Sequence, residues 1–306
     1  MNGNRNAGIL KSYSGEPDNA YSWEVSSRGE FSGSEVVNIA LQSQEWKAIV
    51  WKHRLKLLLP RTPGADHVLL FIAGSGTGLE ELSFCKILSD SMNLACGVLL
   101  DVPNQPLFNG LYEDEIIALT FSKFIETEDE EWPLLLPMVK SARRAMDALE
   151  ELLEESFQKP KGFIVTGASK RGWTTWLASA VDERIVGIAP LVFDNLNIPM
   201  QMRHQVECYG GYSEMISDYT ERGLQQKIGT KAVTRLVEIV DPYSYRDAIT
   251  APKMIVNGTN DRYWTVDSLN LYYDDLLGEK RVLYVPNSGH GLQDKRRVIN
   301  SITAFV

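Results

Sequence analysis

The segment Gly167-Ala168-Ser169-Lys170-Arg171-Gly172-Trp173 holds the residues of this chain best placed to do chemistry. An apolar run, Gly162 to Thr166, ends in Gly-x-Ser-x-x-Gly and passes at once into a helical pattern over Trp173 to Val181. A serine at such a junction sits on a strained strand-to-helix turn. Its hydroxyl projects over the carboxyl edge of the sheet, and the free N–H groups and positive dipole of the following helix favour a developing oxyanion. The chemistry suggested is acyl transfer through a serine nucleophile. The commoner motif has glycine two places after the serine. Here that place is Arg171, and glycine falls one later, at Gly172. Taken alone, Gly-x-Ser also describes an ordinary tight turn.

A serine hydroxyl needs a base, and the base needs an orienting carboxylate. The four histidines are His53, His67, His204 and His290. His53 falls in an early strand pattern and His67 opens a buried one, so both read as structural, while His204 has nothing around it that suggests a base. His290 lies in Pro286-Asn287-Ser288-Gly289-His290-Gly291, just past the last strand pattern, where a catalytic base belongs. The carboxylate should leave an earlier strand end. Lys253 to Asn257 supplies the strand and Gly258-Thr259-Asn260-Asp261-Arg262 the loop, which selects Asp261; Asp267 is the second choice, better suited to capping a helix. The order Ser169, Asp261, His290 is that of α/β-hydrolases. Two backbone donors are also needed for the oxyanion. Lys170 supplies one, and the loop Ala73-Gly74-Ser75-Gly76 supplies the other, from Gly74 or Ser75. That loop lacks both the dinucleotide spacing and the P-loop Lys-Ser/Thr, so a phosphate cradle is disfavoured.

The elements that must carry these residues follow from periodicity. Trp46 to Leu59 reads as one or two extended segments closed by a turn at Pro60-Arg61-Thr62-Pro63-Gly64, and the first 30 residues as a surface arm or irregular first strand. His67 to Ala73 and Ala95 to Asp101 are apolar runs of the kind buried on both faces of a parallel sheet. Trp132 to Phe157 shows apolar groups every three and four residues, an amphipathic helix with Glu150, Glu151, Glu154 and Glu155 on its wet face. Arg184 to Val192 is a further strand. A helix from Asp267 to Leu277, a strand from Lys280 to Val285 and a short helix from Lys295 close the chain. Strands alternating with helices at this spacing imply right-handed βαβ units and a mostly parallel sheet flanked by helices. The alternation lapses from 194 to 240, which reads as a helical cap insertion dividing a core of residues 1–193 and 241–306.

Composition bounds the function. The 306 residues are 44% apolar and carry 31 Lys+Arg against 40 Asp+Glu, a net charge of −9. Such a chain buries a full core and offers no basic stripe for nucleic acid. No apolar run approaches the roughly 18 residues that span a bilayer. Met1 to Lys11 is polar and without the apolar stretch of a signal peptide, so a soluble protein is expected, cytoplasmic or exported after loss of a leader. Cys85, Cys96 and Cys208 are odd in number and lack metal-type spacing, so neither a disulfide framework nor a zinc knuckle is expected.

Longer motifs carry a resemblance. Ala20-Tyr21-Ser22-Trp23, Asp101-Val102-Pro103-Asn104-Gln105-Pro106, Asp129-Glu130-Glu131-Trp132-Pro133, the run from Met138 to Met146, Gly167 to Trp173, Tyr209 to Ser213 and Asp241 to Asp247 are similar to those of the PhoPQ-activated pathogenicity-related proteins, an α/β-hydrolase family. The resemblance covers nearly the whole chain. It implies a Ser-Asp-His hydrolase core with a helical insertion before the acid strand, landing on Ser169, Asp261 and His290. Carboxylesterase action on small acyl esters is the activity it most readily suggests, since the family is named for regulation and virulence rather than for a reaction.

The expectation is therefore a serine carboxylesterase acting on a small-molecule ester without metal or organic cofactor. Asn104, Gln105, Trp173, Trp264, Tyr209 and Tyr212 are candidate pocket walls, and Glu113 and Asp114 read as an exposed acidic loop in preference to a site for a polar substrate group. The rivals are a peptidase or amidase with the same triad and a non-catalytic signalling or binding protein on the same scaffold.

Overall fold

A computed structural model describes residues 3–60, 66–156 and 158–306; the turn expected over Arg61 to Gly64 and the helix end expected at Phe157 lie outside them. The chain opens with helix α1 (Gly3–Gly15) and three long strands, β1 (Ser22–Phe31), β2 (Ser34–Trp46) and β3 (Ile49–Leu58). Then come β4 (His67–Ile72), α2 (Leu79–Met92), β5 (Ala95–Leu99), α3 (Glu113–Thr127), α4 (Leu135–Ser156), β6 (Gly162–Ala168), α5 (Lys170–Ser179) and β7 (Ile185–Leu191). After β7 the chain makes helices only, α6 (Ile198–Tyr209), α7 (Ser217–Thr220) and α8 (Lys231–Val240), before β8 (Lys253–Gly258), β9 (Lys280–Val285) and α9 (Lys295–Phe305).

All nine strands form one sheet in the order β1-β2-β3-β5-β4-β6-β7-β8-β9. Pairings from β1 to β5 are antiparallel and those from β5 to β9 are parallel. The parallel half is where continuous apolar runs occur, because helices cover both of its faces. β8 is buried at every position, and β4 at every position after His67. β1 and β9 are the edges, and the exposed Glu24, Arg28 and Glu30 of β1 discourage further pairing there. The buried apolar residues described fall into three clusters, one centred on α3, α4 and α5, a second on α2 and α9, and a small third of Met202, Ile216 and Trp264. Since β4, β6, β8 and β9 run parallel, the loops that follow them leave the same edge of the sheet.

The structure departs from the sequence reading at several elements. The N-terminal segment is neither an arm nor an irregular strand: α1 buries Leu10 completely against the rest of the protein, and β1 is a regular edge strand. α3 was not anticipated, although Ile116, Ile117, Phe121 and Phe124 are buried at helical spacing. The long helix starts at Leu135, after Pro133, because the Trp132 ring packs among Trp46 and Phe108 instead. No α-helix forms over Asp267 to Leu277. Two short 3-10 turns, Ser268–Leu271 and Tyr273–Asp275, stand there, separated by Tyr272, whose fully buried hydroxyl donates to Asp194. Among the described residues no helix is long and apolar enough to cross a membrane.

In α4, Met138, Ala142, Ala145, Met146 and Leu149 are fully buried, while Glu151, Glu154 and Glu155 face outward. Leu149→Ala should lower the unfolding free energy by about 3 kcal/mol, the usual loss for a truncated core leucine. A denaturant titration with unchanged slope and lower midpoint would show it.

Candidate active site

Ser169 stands between the end of β6 and the start of α5 with φ 58° and ψ −126°. A non-glycine residue there carries about 1–3 kcal/mol of strain and keeps it only where its surroundings impose it. They do so here: the Ser169 N–H donates to the Leu191 carbonyl at 2.9 Å, and the Ser169 carbonyl accepts from the Trp173 N–H at 3.0 Å. Gly172 is what lets the helix pass so close to β7. A Cβ there would stand 2.9 Å from the Leu191 carbonyl oxygen and 3.1 Å from that of Gly167. The glycine one place later than usual is thus the one this turn requires. The Lys170 N–H, in the first turn of α5, has no partner within the helix and is available to an oxyanion.

Arg171 explains the departure from the commoner motif. Its side chain turns back beneath the neighbouring loops, Nε donating to the Val102 carbonyl at 2.6 Å and the two terminal nitrogens to Glu113 at 2.6 and 2.7 Å. The guanidinium lies close against Gly74, where a Cβ would meet Nη2 at 2.5 Å. Lys170 Nζ adds ion pairs to Glu113 at 2.8 Å and Asp114 at 3.2 Å. Both cations are nearly buried, so the pairing is obligatory. Burial opposes charge on Glu113, yet Arg171 and Lys170 overcome it and hold the carboxyl well below the usual range. Glu113 and Asp114 are therefore not an idle acidic loop. Gln105 completes the lattice, donating to Glu113 at 2.5 Å and to the Ser75 hydroxyl at 3.2 Å and accepting from the Glu113 N–H at 2.9 Å.

The acid and base loops are laced together. Asn260 N–H donates to the Ser288 carbonyl, Thr259 N–H to that of Val285, and Asn287 N–H to the Thr259 hydroxyl. This brings His290 Nδ1 to 2.8 Å from Asp261 Oδ2, while Oδ1 accepts from the Tyr263 N–H at 3.0 Å. The Asp261 side chain is 7% exposed. The Tyr263 ring lies over the imidazole, centroids 4.3 Å apart and planes at 33°. With Nδ1–H given to Asp261, Nε2 is left as the acceptor. Ser169 and His290 line the same cavity. Among the described residues no hydrogen bond joins the Ser169 hydroxyl to the imidazole; contacts of this kind commonly tighten only in the substrate complex.

The cavity opens between the carboxyl edge of the sheet and the helices after β7, and its walls are mainly apolar, with Phe121, Phe193, Ile198, Met202, Leu236 and Val240 among them. Of the expected pocket residues, Trp173 and Trp264 are in its wall, together with Lys170. Asn104, Gln105, Tyr209, Tyr212, Gly74 and Ser75 are not. Asn104 accepts from the Lys52 N–H, Tyr209 donates to the Trp264 carbonyl, and Tyr212 packs beside Met202, Ile216 and Trp264. His53 is held between the Ser43 hydroxyl and the Asp101 carbonyl, and burial lowers it to about 4, a neutral core residue as its strand setting suggested. Asp267 pairs with His204 and does not cap the turn that follows it. Tyr263 was missed by sequence reasoning, as was the pairing of Glu113 and Asp114 with the elbow cations. The signal available was an unexplained Arg171 in the elbow, which called for a nearby carboxylate.

Beneath the acid loop lies a second carboxyl, Asp194, accepting from the Tyr272 and Tyr284 hydroxyls at 2.5 and 3.2 Å. Burial, with the Asp261 charge adding to it, pushes it up from 3.8 to about 7. Burial likewise raises Asp241 to about 7, against three backbone N–H donors. Folded-state values above the ordinary one favour the protonated fold. Stability from these groups is complete below about pH 4 and declines as pH rises through about 7. Asp194→Asn should therefore flatten the fall in unfolding free energy between pH 5 and pH 8, measured by urea titration at each pH. Arg171→Met should cost about 2 kcal/mol, less than the ~3–5 of a fully buried pair because Glu113 is partly exposed, and Arg171→Lys should restore little of it for want of the two-pronged fit.

Comparison with known proteins bears on the fold and the family. Acetyl xylan esterase 1 from Thermoanaerobacterium sp. JW/SL YS485 superimposes with TM-score 0.65 at 14% identity, over 99% of this chain and 94% of that one. An acetyl xylan esterase from Paenibacillus sp. R4 gives 0.62 at 16% identity over 99% and 93%. The S-formylglutathione hydrolase of Agrobacterium tumefaciens gives 0.59 at 14% over 92% and 97%. At such identities the likeness is one of fold, and the fold is that of the α/β-hydrolases. Autocrine proliferation repressor protein A of Dictyostelium discoideum is 32% identical over 317 residues, matching 97% of this chain. The chain spans 64% of the length of that curated relative. Residues 10–306 match the PhoPQ-activated pathogenicity-related protein family, and the chain belongs to it.

Proposed function

We propose that the protein is a serine carboxylesterase. The observation that carries this is the meeting, at one apolar cavity, of a strained elbow serine and an imidazole already held by a carboxylate. In the reaction, His290, oriented by Asp261, takes the proton from Ser169 as the serine oxygen attacks an ester carbonyl. The oxyanion is held by the Lys170 N–H at the start of α5, aided by the dipole of that helix. His290 then gives its proton to the departing alcohol. Water, deprotonated by the same imidazole, cleaves the acyl-enzyme and returns Ser169 to its starting state.

The cavity wall supports an apolar acyl or alcohol group, since most of its lining residues are apolar, with Asp114, Asn195 and Gln225 among the polar ones. Residues 194–240 act as the cap over that cavity, with the hydrolase core on either side at 1–193 and 241–306. An amidase using the same residues is distinguished by leaving-group preference. A purely binding role, in keeping with the repressor name of the Dictyostelium relative, is distinguished by Ser169 reactivity.

The test combines fluorophosphonate labelling with hydrolysis of p-nitrophenyl acetate, butyrate and octanoate. Wild type should be labelled and should turn over the esters, and Ser169→Ala should do neither. Asp261→Asn should lower kcat by up to ~10⁴. Two added methylenes at about 0.8 kcal/mol each should raise kcat/KM for butyrate roughly tenfold over acetate. Esterase activity surviving in Ser169→Ala would remove the proposed nucleophile.

A further inference from the structure

Outside the cavity, α6 and the loop after β8 bring together three side chains of unlike chemistry. His204 and Cys208 are one helical turn apart on α6, so they share a face. Asp267 comes from the core loop that also carries Asp261, Tyr263 and Trp264. His204 Nε2 lies 2.8 Å from Asp267 Oδ1 and 3.5 Å from Cys208 Sγ, and one donor atom from each residue lies within 4.8 Å of the other two. A tetrahedral zinc ion with ordinary bond lengths sets its sulfur and nitrogen ligands about 3.6 Å apart and its nitrogen and oxygen ligands about 3.4 Å apart. The sulfur–nitrogen edge already has that length. The nitrogen–oxygen edge opens to it by a small swing of Asp267, whose side chain is 49% exposed.

We propose that His204, Cys208 and Asp267 form a transition-metal site of the zinc type that fastens α6 to the loop carrying Asp261. One imidazole, one thiolate and one carboxylate make a borderline-soft donor set that favours zinc over magnesium or calcium. Cys208 and Asp267 bring two negative charges to a dication. Binding releases the Cys208 thiol proton to solvent as the sulfur–metal bond forms, with no change of oxidation state. The fourth position faces water.

The same seam is already polar. Gln205 donates to the Tyr263 carbonyl at 2.9 Å, Tyr209 to the Trp264 carbonyl at 3.1 Å, and Ser213 to the Arg262 carbonyl at 2.6 Å. A metal at its end would lock the wall that α6 gives the cavity, through Ile198 and Met202, against Tyr263 and Trp264. Spacing along the chain hid the site, because the cysteine pattern holds no second thiol and the third donor comes from another strand end.

The test needs no turnover, so its outcome is independent of the esterase reading. Chelator-stripped full chain in a phosphine reductant is titrated with zinc against a chromogenic chelator, and separately with cobalt. One equivalent should bind, cobalt should give a sulfur-to-metal charge-transfer band, and zinc should raise the melting temperature. Cys208→Ser, and separately Asp267→Asn, should weaken zinc at least roughly tenfold and abolish the zinc-dependent rise, while melting like stripped wild type without metal. Zinc affinity unchanged in both variants, no binding to wild type, or a cobalt spectrum without the thiolate band would overturn the proposal.

Discussion

The pairing of Arg171 with Glu113 is the constraint on which the site depends. A guanidinium sealed beneath the loops after β4 and β5 must be neutralised where it lies, and the two-pronged fit to Glu113 fixes its plane. Because the same side chain holds the Val102 carbonyl and packs close against Gly74, one residue two places after Ser169 ties the elbow to two other strand ends and to the start of α3. In the commoner motif a glycine at that place makes room. Here the room is filled, and the strain at Ser169 is held by a charged strut. The strut also explains why α3 begins where it does, with Glu113 at φ 51° and Gln105 bonded to both its carboxylate and its N–H.

The fold was legible wherever a periodicity had one meaning. The apolar runs of β4, β5, β6, β7 and β8 can only be strands covered on both faces, and α4 declares itself by its spacing. What stayed hidden depended on partners distant in sequence. Tyr272 breaks what reads as a helix because its hydroxyl is drawn to Asp194, seventy-eight positions earlier. α3 lay beyond reach because its first turn, Glu113 and Asp114, reads as solvated acid until Lys170 and Arg171 are placed beside it. The site divides in the same way. Ser169, Asp261 and His290 could be chosen because chain order and strand ends bound their positions. The cavity wall could not, because it is made by helices whose docking no local pattern specifies. Trp173 and Trp264 are in it, whereas Tyr209 and Tyr212 serve the seam beside it.

The cavity and its floor differ sharply in character. Above, the wall is aromatic and aliphatic; below, Asp261 accepts from His290 and Tyr263, and Asp194 sits deeper, pushed by burial toward its neutral form. Two carboxyls so close to one another are easier to bury if one of them gives up its charge. The two tyrosine hydroxyls that converge on Asp194 donate to its oxygens and favour the charged form, so it is burial, prevailing against them, that pushes the carboxyl toward neutrality. In the proposed reaction this keeps the charge beside the imidazole on Asp261, where it can stabilise an imidazolium.

Charge balance at the elbow bears on what stabilises the proposed oxyanion. Lys170 and Arg171 bring two positive charges within a residue or two of Ser169, and Glu113 and Asp114 bring two negative ones into direct contact with them. The four sum to zero, and the cation heads are occupied by carboxylates rather than aimed at the hydroxyl. Electrostatic help to a developing oxyanion therefore falls to backbone N–H groups and the α5 dipole, which act at short range and carry no net charge. A site so balanced has little pull on an anionic substrate, and its apolar wall has none. In the proposed reaction, neutral esters are the substrates that such a surface would desolvate without loss, and the strut beneath the elbow would keep its donors in place while that happens.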